Sequence, residues 1–583
     1  MALSAVLWTS TSGLQAVQQQ LQWRTDNISN AQNATYSRRD AVTTSTGVNS
    51  VQVDVARASN NGLQDQFLTS NSLSSFTTTQ KTYFQRVGDV LGTAQSTPYL
   101  QQAIDSFTGA WKSFETDTSS TTSEANVINT GQALADTVTH IAQNLTQVET
   151  EVRSDVGNTV DNLNSKLKQL DSINKQISGE PLDNLLNPSL LDTRDSLVRD
   201  ISGMVSVVRI VHPDNSVALY TQGGVALIDH GANQFQWNNP SGLAPWLSLV
   251  NTTGNKAPSP SLNEEFTGGS LGAALNVLAS TNTAMSSTDP TLGVLAKARS
   301  QVDNLAVQLA GQEPGTFGGA YYAATADRTT DLIGGIANNT AGAVAAPISA
   351  GPPPTGGSGN PMYWGNTYDP AYTDPVTGIV GPAYNPIVGP TTAQFGVAAA
   401  AAPLNSNVFP QPAAGNWTPY TTSGGGTWDG TALNSFFTID NGTAGPPQVA
   451  PTLSPSSSFA INPALVNGTA TVKRQSATPV IAELTNTGRA MTAAGVTATN
   501  QTYSGLASTI ANYHAAGQAA VSDNNTRYTQ TTQTLDTRLN SEIGVNMDTE
   551  MAQLTVLQNA YAANARVINV VQTMFDTLLQ IGK

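Results

Sequence analysis

A chain of 583 residues is long enough for roughly four domains at the usual size of about 150 residues each, so substantial cores can be buried. With 25 Lys and Arg against 40 Asp and Glu, the net charge of −15 repels phosphate backbones and argues against a general binder of nucleic acid or anionic membrane. Charged residues are only 11% of the chain and cysteine is absent, which leaves a largely neutral polar surface and excludes disulfides, thiolate zinc sites and cysteine nucleophiles.

The N-terminal stretch MALSAVLWTSTSGLQAVQQQL has neither the basic start nor the uninterrupted apolar run of a cleaved secretion signal. No run of about 18 apolar residues occurs that would read as a membrane span. Leu7, Leu14, Leu21 and Ile28 instead recur every seven residues, with Leu3 and Val17 on a neighbouring line, and the stripe is broken at Ser10 and Arg24. This spacing predicts a first helix carrying either a coiled-coil seam or the apolar face of an ordinary amphipathic helix. The segment DNISNAQNATYSRRD (26–40) follows, with two N-glycosylation sequons at Asn27 and Asn33 and a basic pair, Arg38-Arg39, that reads as a local contact.

Further helices are predicted at roughly 62–92, 98–114 and 124–178. The last carries Val138, Ile141, Leu145, Val148, Val152 and Val156 at three- and four-residue steps. From SVVRIVHPDNSVALYTQGGVALIDHG the pattern changes to alternation with Pro-Asp-Asn and Gln-Gly-Gly turns, which reads as β-hairpins. Residues 310–475 are rich in Gly, Pro, Thr and Ala and contain a short near-repeat around Pro370 and Pro382, so a loop-rich β insertion or a partly disordered segment, rather than a fibrous repeat, is expected there. A helix at about 500–540 precedes the C-terminal segment, where Met547, Leu554, Tyr561, Ile568 and Phe575 lie one heptad apart. Leu557, Val571 and Leu578 hold the companion line, interrupted by Asn564. Neither Pro nor Gly occurs from 545 to 581, so one helix of about 50 Å is expected.

Groups for chemistry are sparse. His140, His212, His230 and His514 show no ligand-like spacing, and no Gly-x-Ser-x-Gly elbow surrounds a serine. The Gly-rich stretches at 311–319 and 423–430 lack a phosphate-loop ending, Asp369 and Asp374 lack further calcium ligands, and Glu264-Glu265 read as solvent-facing. No catalytic, cofactor or metal site is therefore expected, and no enzyme.

NISNAQNATYSRRD after a heptad helix resembles the start of the flagellar rod, hook and hook-associated proteins, whose pattern runs Asn-Ile-Ala-Asn-x-Asn-Thr-Pro-Gly-Tyr-Ser-Arg-Gln. Asn27, Ile28, Asn30, Tyr36, Ser37 and Arg38 match it, whereas Ser29, Gln32, Asn33, Ala34, Thr35 and Arg39 depart and the Pro-Gly pair is missing. LLDTRDSLVRDISGMVSV (190–207), with Asp192, Arg194 and Asp195, and TGGSLGAAL (267–275) are similar to segments of the hook-associated branch. The C-terminus from Ile543, through Asn546 and the Gln558-x-Ala560-Tyr561 core, is similar to the ending shared by these axial proteins. The resemblance covers about 1–300 and 500–583.

It implies an α plus β multidomain protein whose N- and C-terminal helices pair in a coiled-coil-like rod, with β-rich domains inserted in the middle. The expected divisions are 1–40 with 541–583 as a terminal coiled-coil domain and 41–205 with 491–540 as a helical rod. A β-rich domain ending in a helix is expected at 206–309, and a variable Gly/Pro/Thr-rich β insertion at 310–490. The implied function is structural: a ring of copies at the hook–filament junction, with hook protein below and the next hook-associated junction protein above. A cytoplasmic chaperone on the C-terminal helix and export through the flagellar type III apparatus, without a cleaved signal, complete the expectation. That bacterial route makes the sequons incidental. The expected packing seam comprises Leu7, Leu14, Leu21, Ile28, Leu554, Leu557, Tyr561, Ile568, Val571, Phe575 and Leu578. A surface adhesin with a helical stalk and a β-rich head is the alternative; it accounts for the insertion but not for the matched terminal motifs.

Overall fold

The computed structural model describes residues 2–33, 35–45, 51–93, 98–179, 188–239, 245–250, 261–280, 287–310, 436–439, 456–468, 471–472 and 477–581. Helices dominate these residues, and the strands form small antiparallel sheets between them. Helix α1 (Ala2–Ser29) leads into a hairpin of β1 (Arg39–Ser45) and β2 (Val51–Arg57), registered from Arg39 opposite Arg57 to Ser45 opposite Val51. The helical periodicity of the 41–205 segment starts only after this hairpin, whose own signal is the alternation in VQVDVAR.

The helical body begins with α2 (Asn61–Leu91), capped by the Asn60 side chain accepting from Leu63 N–H and ended by Gly92 in the left-handed region. After α3 (Tyr99–Thr116) comes α4 (Thr121–Gly179), whose 59 residues extend roughly 90 Å. Val138, Ile141, Leu145, Val148, Val152, Val156, Val160, Leu163, Leu167 and Leu170 form one buried stripe along it. Each such side chain contributes about 1.5–3 kcal/mol by leaving water, so tertiary packing, more than propensity, holds so long a helix. Next come α5 (Pro188–Met204), the meander β3 (Val208–Val211), β4 (Val217–Tyr220) and β5 (Ala226–Ile228), and the hairpin β6 (Phe235–Asn238) with β7 (Trp246–Leu249).

Two buried asparagines of α4 hold both sheets. Asn174 Nδ2 donates to the Val217 carbonyl at 2.8 Å while its Oδ1 accepts Val217 N–H at 3.1 Å. Asn164 does the same with Phe235, at 2.8 and 2.9 Å. A side-chain amide presents the donor and acceptor of a peptide unit. Because the β4–β5 ladder stops at Leu219 opposite Ile228, Asn174 continues it where β5 is too short.

Helices α6 (Gly269–Leu278) and α7 (Val294–Leu309) close this part of the body. The Gly-rich turn ahead of α6 needs its glycines: Gly269 has φ +63°, and a Cβ there would lie 2.2 Å from the Met204 carbonyl carbon. The chain is next described at β8 (Phe437–Ile439) and β9 (Phe459–Ile461), where Phe436 and Phe437 pack on Phe107 at 5.1 and 5.3 Å. Asp303 on α7 accepts from Ser456 N–H at 2.9 Å and Ser456 Oγ–H at 2.5 Å, which stitches the returning chain to the body. The short α8 (Pro463–Val466), α9 (Ala477–Leu484) and the hairpin β10 (Arg489–Ala493) with β11 (Val496–Gln501) lead to α10 (Tyr503–Ile543) and α11 (Met547–Ile581). Most of 310–490, with its near-repeat, Asp369, Asp374 and both Gly-rich stretches, lies outside the described residues.

Helix α10 lies along α2, and their contact is partly a zipper of small polar groups. Ser70 Oγ meets Thr532 Oγ1 at 2.8 Å and Thr78 donates to Asn525 Oδ1 at 2.8 Å. The low-charge, hydroxyl- and amide-rich composition is thus used inside the body as well as on its surface. His514 is also interior: its Nε2 bonds Gln301 Oε1 at 2.8 Å, and burial, aided by Lys297, pushes its pKa down to about 3, so it stays neutral. His140 is exposed on α4.

Replacing Asn174 by Leu leaves the Val217 N–H and C=O buried without partners, which should cost about 1–3 kcal/mol. Urea denaturation checks this, and an unchanged midpoint would show that α4 does not hold the meander through this amide.

Candidate subunit-packing seam and its anchor

Helices α1 and α11 pack side by side. They run antiparallel: Arg24 meets Glu550, whereas a Cβ at Gly13 would lie 3.3 Å from Asn564 Nδ2, so the α1 number falls as the α11 number rises. Leu7, Leu14, Leu21, Ile28, Leu554, Leu557 and Ile568 are half-buried and Val571 is buried. Tyr561 and Phe575, expected in the same seam, remain 37% and 38% exposed. An undistorted helix drifts about 20° per heptad from a strict seven-residue stripe, so such a stripe leaves the contact line over five turns or more. The Leu578 side chain is outside the described residues.

The interruptions of the apolar pattern are where the two helices interlock. Ser10 is buried, Gly13 makes room for Asn564, and Arg24 donates to both carboxylate oxygens of Glu550 at 3.0 Å. Arg24 stands seven residues beyond Val17, and Glu550 seven before Leu557, so each occupies a companion-line position of its own helix. A polar residue at such a position fixes register at a cost in raw stability. A charge on the apolar line of each helix was the sequence signal for this pair.

Glu550 is fully buried, and Asn27 beside it uses its whole amide. Nδ2 donates to Arg39 O at 2.9 Å and Glu550 Oε2 at 3.2 Å, while Oδ1 accepts from Tyr36 Oη–H at 2.8 Å and Arg39 N–H at 3.0 Å. Asn27 thus ties α1, the following loop and α11 together, a larger role than satisfying a helix end. Asn30 Nδ2 donates to Asp26 O at 2.9 Å, a helix-end contact of the expected kind. Burial, opposed by Arg39, pushes Tyr36 up to about 12, so its hydroxyl stays a donor. The missing Pro-Gly is replaced by an Asx turn in which Asn33 Oδ1 accepts from Thr35 N–H at 3.1 Å and Thr35 Oγ1–H at 2.8 Å.

The same loop is fastened to the helical body. Arg38 N–H donates to Ile543 O at 2.7 Å and Arg38 Nη1 to Gly544 O at 3.4 Å, joining the points where the chain enters and leaves the terminal pair. Arg39 lies 4.9 Å over the Tyr36 ring and donates to Ser189 Oγ at 2.9 Å. Asp192 accepts from Ser37 N–H at 3.3 Å and Arg57 Nε at 2.8 Å, and Asp195 from Arg57 Nη2 at 2.7 Å and Arg194 Nη2 at 2.7 Å. Arg194 also reaches the Asn215 carbonyl at 2.5 Å, at the β3–β4 turn. Burial alone would raise Asp195, but Arg194 and Arg57 outweigh it and hold the carboxyl below its usual range. Burial raises Asp192 despite Arg57, and it lowers Arg194 despite Asp195. Asn546 begins α11, accepting from Thr549 N–H at 3.2 Å. Arg57, which no motif marked, is the shared cation of this cluster.

A second apolar face of the pair is open: Trp8 on α1 and Val556, Val567, Val570 and Met574 on α11 are exposed, Trp8 to 71%, while Val6, Met551 and Leu579 are exposed elsewhere on the two helices. The heptad spacing did not mark these residues, since they lie off both of its lines.

Comparison with known proteins bears on this arrangement. Residues 84–316 match the family model of the flagellar hook-associated protein FlgK helical domain, and residues 541–581 that of the flagellar basal body rod FlgEFG protein C-terminal segment. The chain is 30% identical over 162 residues to flagellar hook-associated protein 1 of Bacillus subtilis (strain 168). That alignment spans 28% of this chain and 32% of the relative, about a third of its length. The solved structure of the flagellar hook junction protein FlgK from Burkholderia pseudomallei is 22% identical over 42% of each chain, with a TM-score of 0.35.

Replacing Glu550 by Leu leaves Arg24 largely buried with only the more exposed Asp40 carboxylate at 3.5 Å, so the terminal pair should lose stability, by less than the roughly 3–5 kcal/mol of a fully unpaired buried charge. Hydrogen exchange would then accelerate in 2–29 and 547–581 while α4 keeps its protection; unchanged exchange in the pair would contradict this. Asp195, with its pKa lowered by folding, contributes stability that is present above the unfolded carboxyl pKa and is lost as pH falls through the folded one. Asp195→Asn should therefore destabilise the protein at pH 7, with the penalty shrinking below about pH 4. Denaturation midpoints across that range would read it.

Proposed function

We propose, proceeding from a chain that carries the helical domain of the flagellar hook-associated proteins and an axial-protein C-terminus, that it is a structural subunit of the bacterial flagellum at the junction of hook and filament. The observation that carries this reading is the terminal helix pair with apolar residues on two faces, one of which, among the described residues, is left exposed. A single copy leaves Trp8, Val556 and Val570 in water; neighbouring copies in a closed ring supply the missing surface. The terminal helices complete their ordering when neighbours bury that surface, so assembly and folding of the ends are coupled.

In this reading the ring stands on hook protein and carries the next hook-associated junction protein above it, and the molecule acts by packing alone, without catalysis or cofactor. The chain leaves the cell unfolded through the flagellar type III apparatus. A cytoplasmic chaperone covers the C-terminal helix until then, because its apolar residues would otherwise associate. No described helix is long and apolar enough to cross a membrane.

Electron microscopy of cells lacking the protein should show hooks without filaments, with unpolymerised flagellin in the medium. Replacing Leu557 and Tyr561 by Asp should reproduce that phenotype while the helical body keeps its circular dichroism and protease resistance. Normal filaments in either strain would refute the reading.

A further inference from the structure

The three-stranded meander gathers groups that the sequence keeps apart. β3 ends at Val211 and β5 at Ile228, and because both are antiparallel to β4 between them, the residues that follow emerge at the same end of the sheet. His212 and Asp229-His230 occupy those positions. His212 is fixed by its N–H donating to Ser216 O at 2.9 Å, and Asp229 N–H donates to Gly231 O at 3.3 Å. The lack of ligand-like spacing in the sequence therefore does not describe their placement.

His212 Nε2 lies 3.7 Å from Asp229 Oδ1, and His230 Nε2 lies 4.0 Å from the same oxygen. The two imidazoles stack 15° from parallel with centroids 6.5 Å apart. His212 Nε2 is buried and makes no hydrogen bond.

We infer that His212, Asp229 and His230 bind a divalent transition-metal ion of the zinc class. Nitrogen and oxygen ligands about 2.0–2.2 Å from a tetrahedral ion sit roughly 3.3 Å apart, so the two histidine–aspartate separations, 3.7 and 4.0 Å, have to contract by roughly 0.4 and 0.7 Å, and the imidazoles, with centroids 6.5 Å apart, have to turn towards a common point. Among the described residues no three such groups already converge on one point. The His230 side chain, 96% exposed, has the freedom to close the set by rotating. Two imidazoles select zinc, nickel or copper over calcium and magnesium, which take oxygen ligands. Three protein ligands leave at least one coordination position open towards solvent. Binding would cross-link the outer ends of β3 and β5, which share no ladder of their own.

The test is calorimetric titration of the full chain, prepared without a histidine tag, with zinc and then nickel chloride. One ion per chain is expected, with affinity at least about tenfold weaker in both His212→Ala and His230→Ala. His140→Ala, on exposed α4, serves as the control and should bind as the parent does. His230 lies in an exposed turn, so its variant folds and the comparison holds even if His212→Ala is unstable. Equal affinity in His230→Ala and the parent, or an equal loss in His140→Ala, would overturn the assignment.

Discussion

The Arg24–Glu550 ion pair, wrapped by the Asn27 amide, is the constraint on which the arrangement of the chain ends depends. An isolated charge in so buried a place would be prohibitive, so the contact forms only when both helices are in register and the Tyr36–Asp40 loop has folded back over them. An apolar seam alone would tolerate slippage by a heptad. The fully used amide and the paired guanidinium do not, and Gly13 against Asn564 repeats the restriction further along the pair.

From this anchor the constraint passes outward through connected groups. Tyr36 and the Arg39 backbone hold Asn27, Ser37 bonds Asp192, and Arg57 of the hairpin joins Asp192 to Asp195. Arg194 then reaches the turn of the outer meander. One polar chain thus runs from the terminal helices through the β1–β2 hairpin and α5 to the β3–β4 turn. Apolar burial supplies most of the stability along α4, but it is indifferent to small rotations; directional hydrogen bonds at the boundaries set how the parts sit.

Polar side chains also do structural work that strands or charges do elsewhere. Asn164 and Asn174 complete sheet edges, and Ser, Thr and Asn zip α2 to α10. A chain with few charges and no cysteine thereby obtains specific contacts inside the body from neutral groups.

Periodicity in the sequence determined the helices, including the long α4 stripe and both terminal heptad patterns, because helix phase is local and repeats within a few residues. It also marked the meander through alternation and the α5 motif through resemblance. Which side of each terminal helix is covered was not legible, because two apolar faces compete and only the partner decides; hence Tyr561 and Phe575 lie at the margin. The hairpin after α1 was readable in VQVDVAR but is short beside the helices around it. Arg24 and Glu550 are 526 residues apart, as are the elements of no local pattern, and His212 and His230 meet only through strand order. Those pairings follow from chain return and sheet topology, which sequence spacing does not encode.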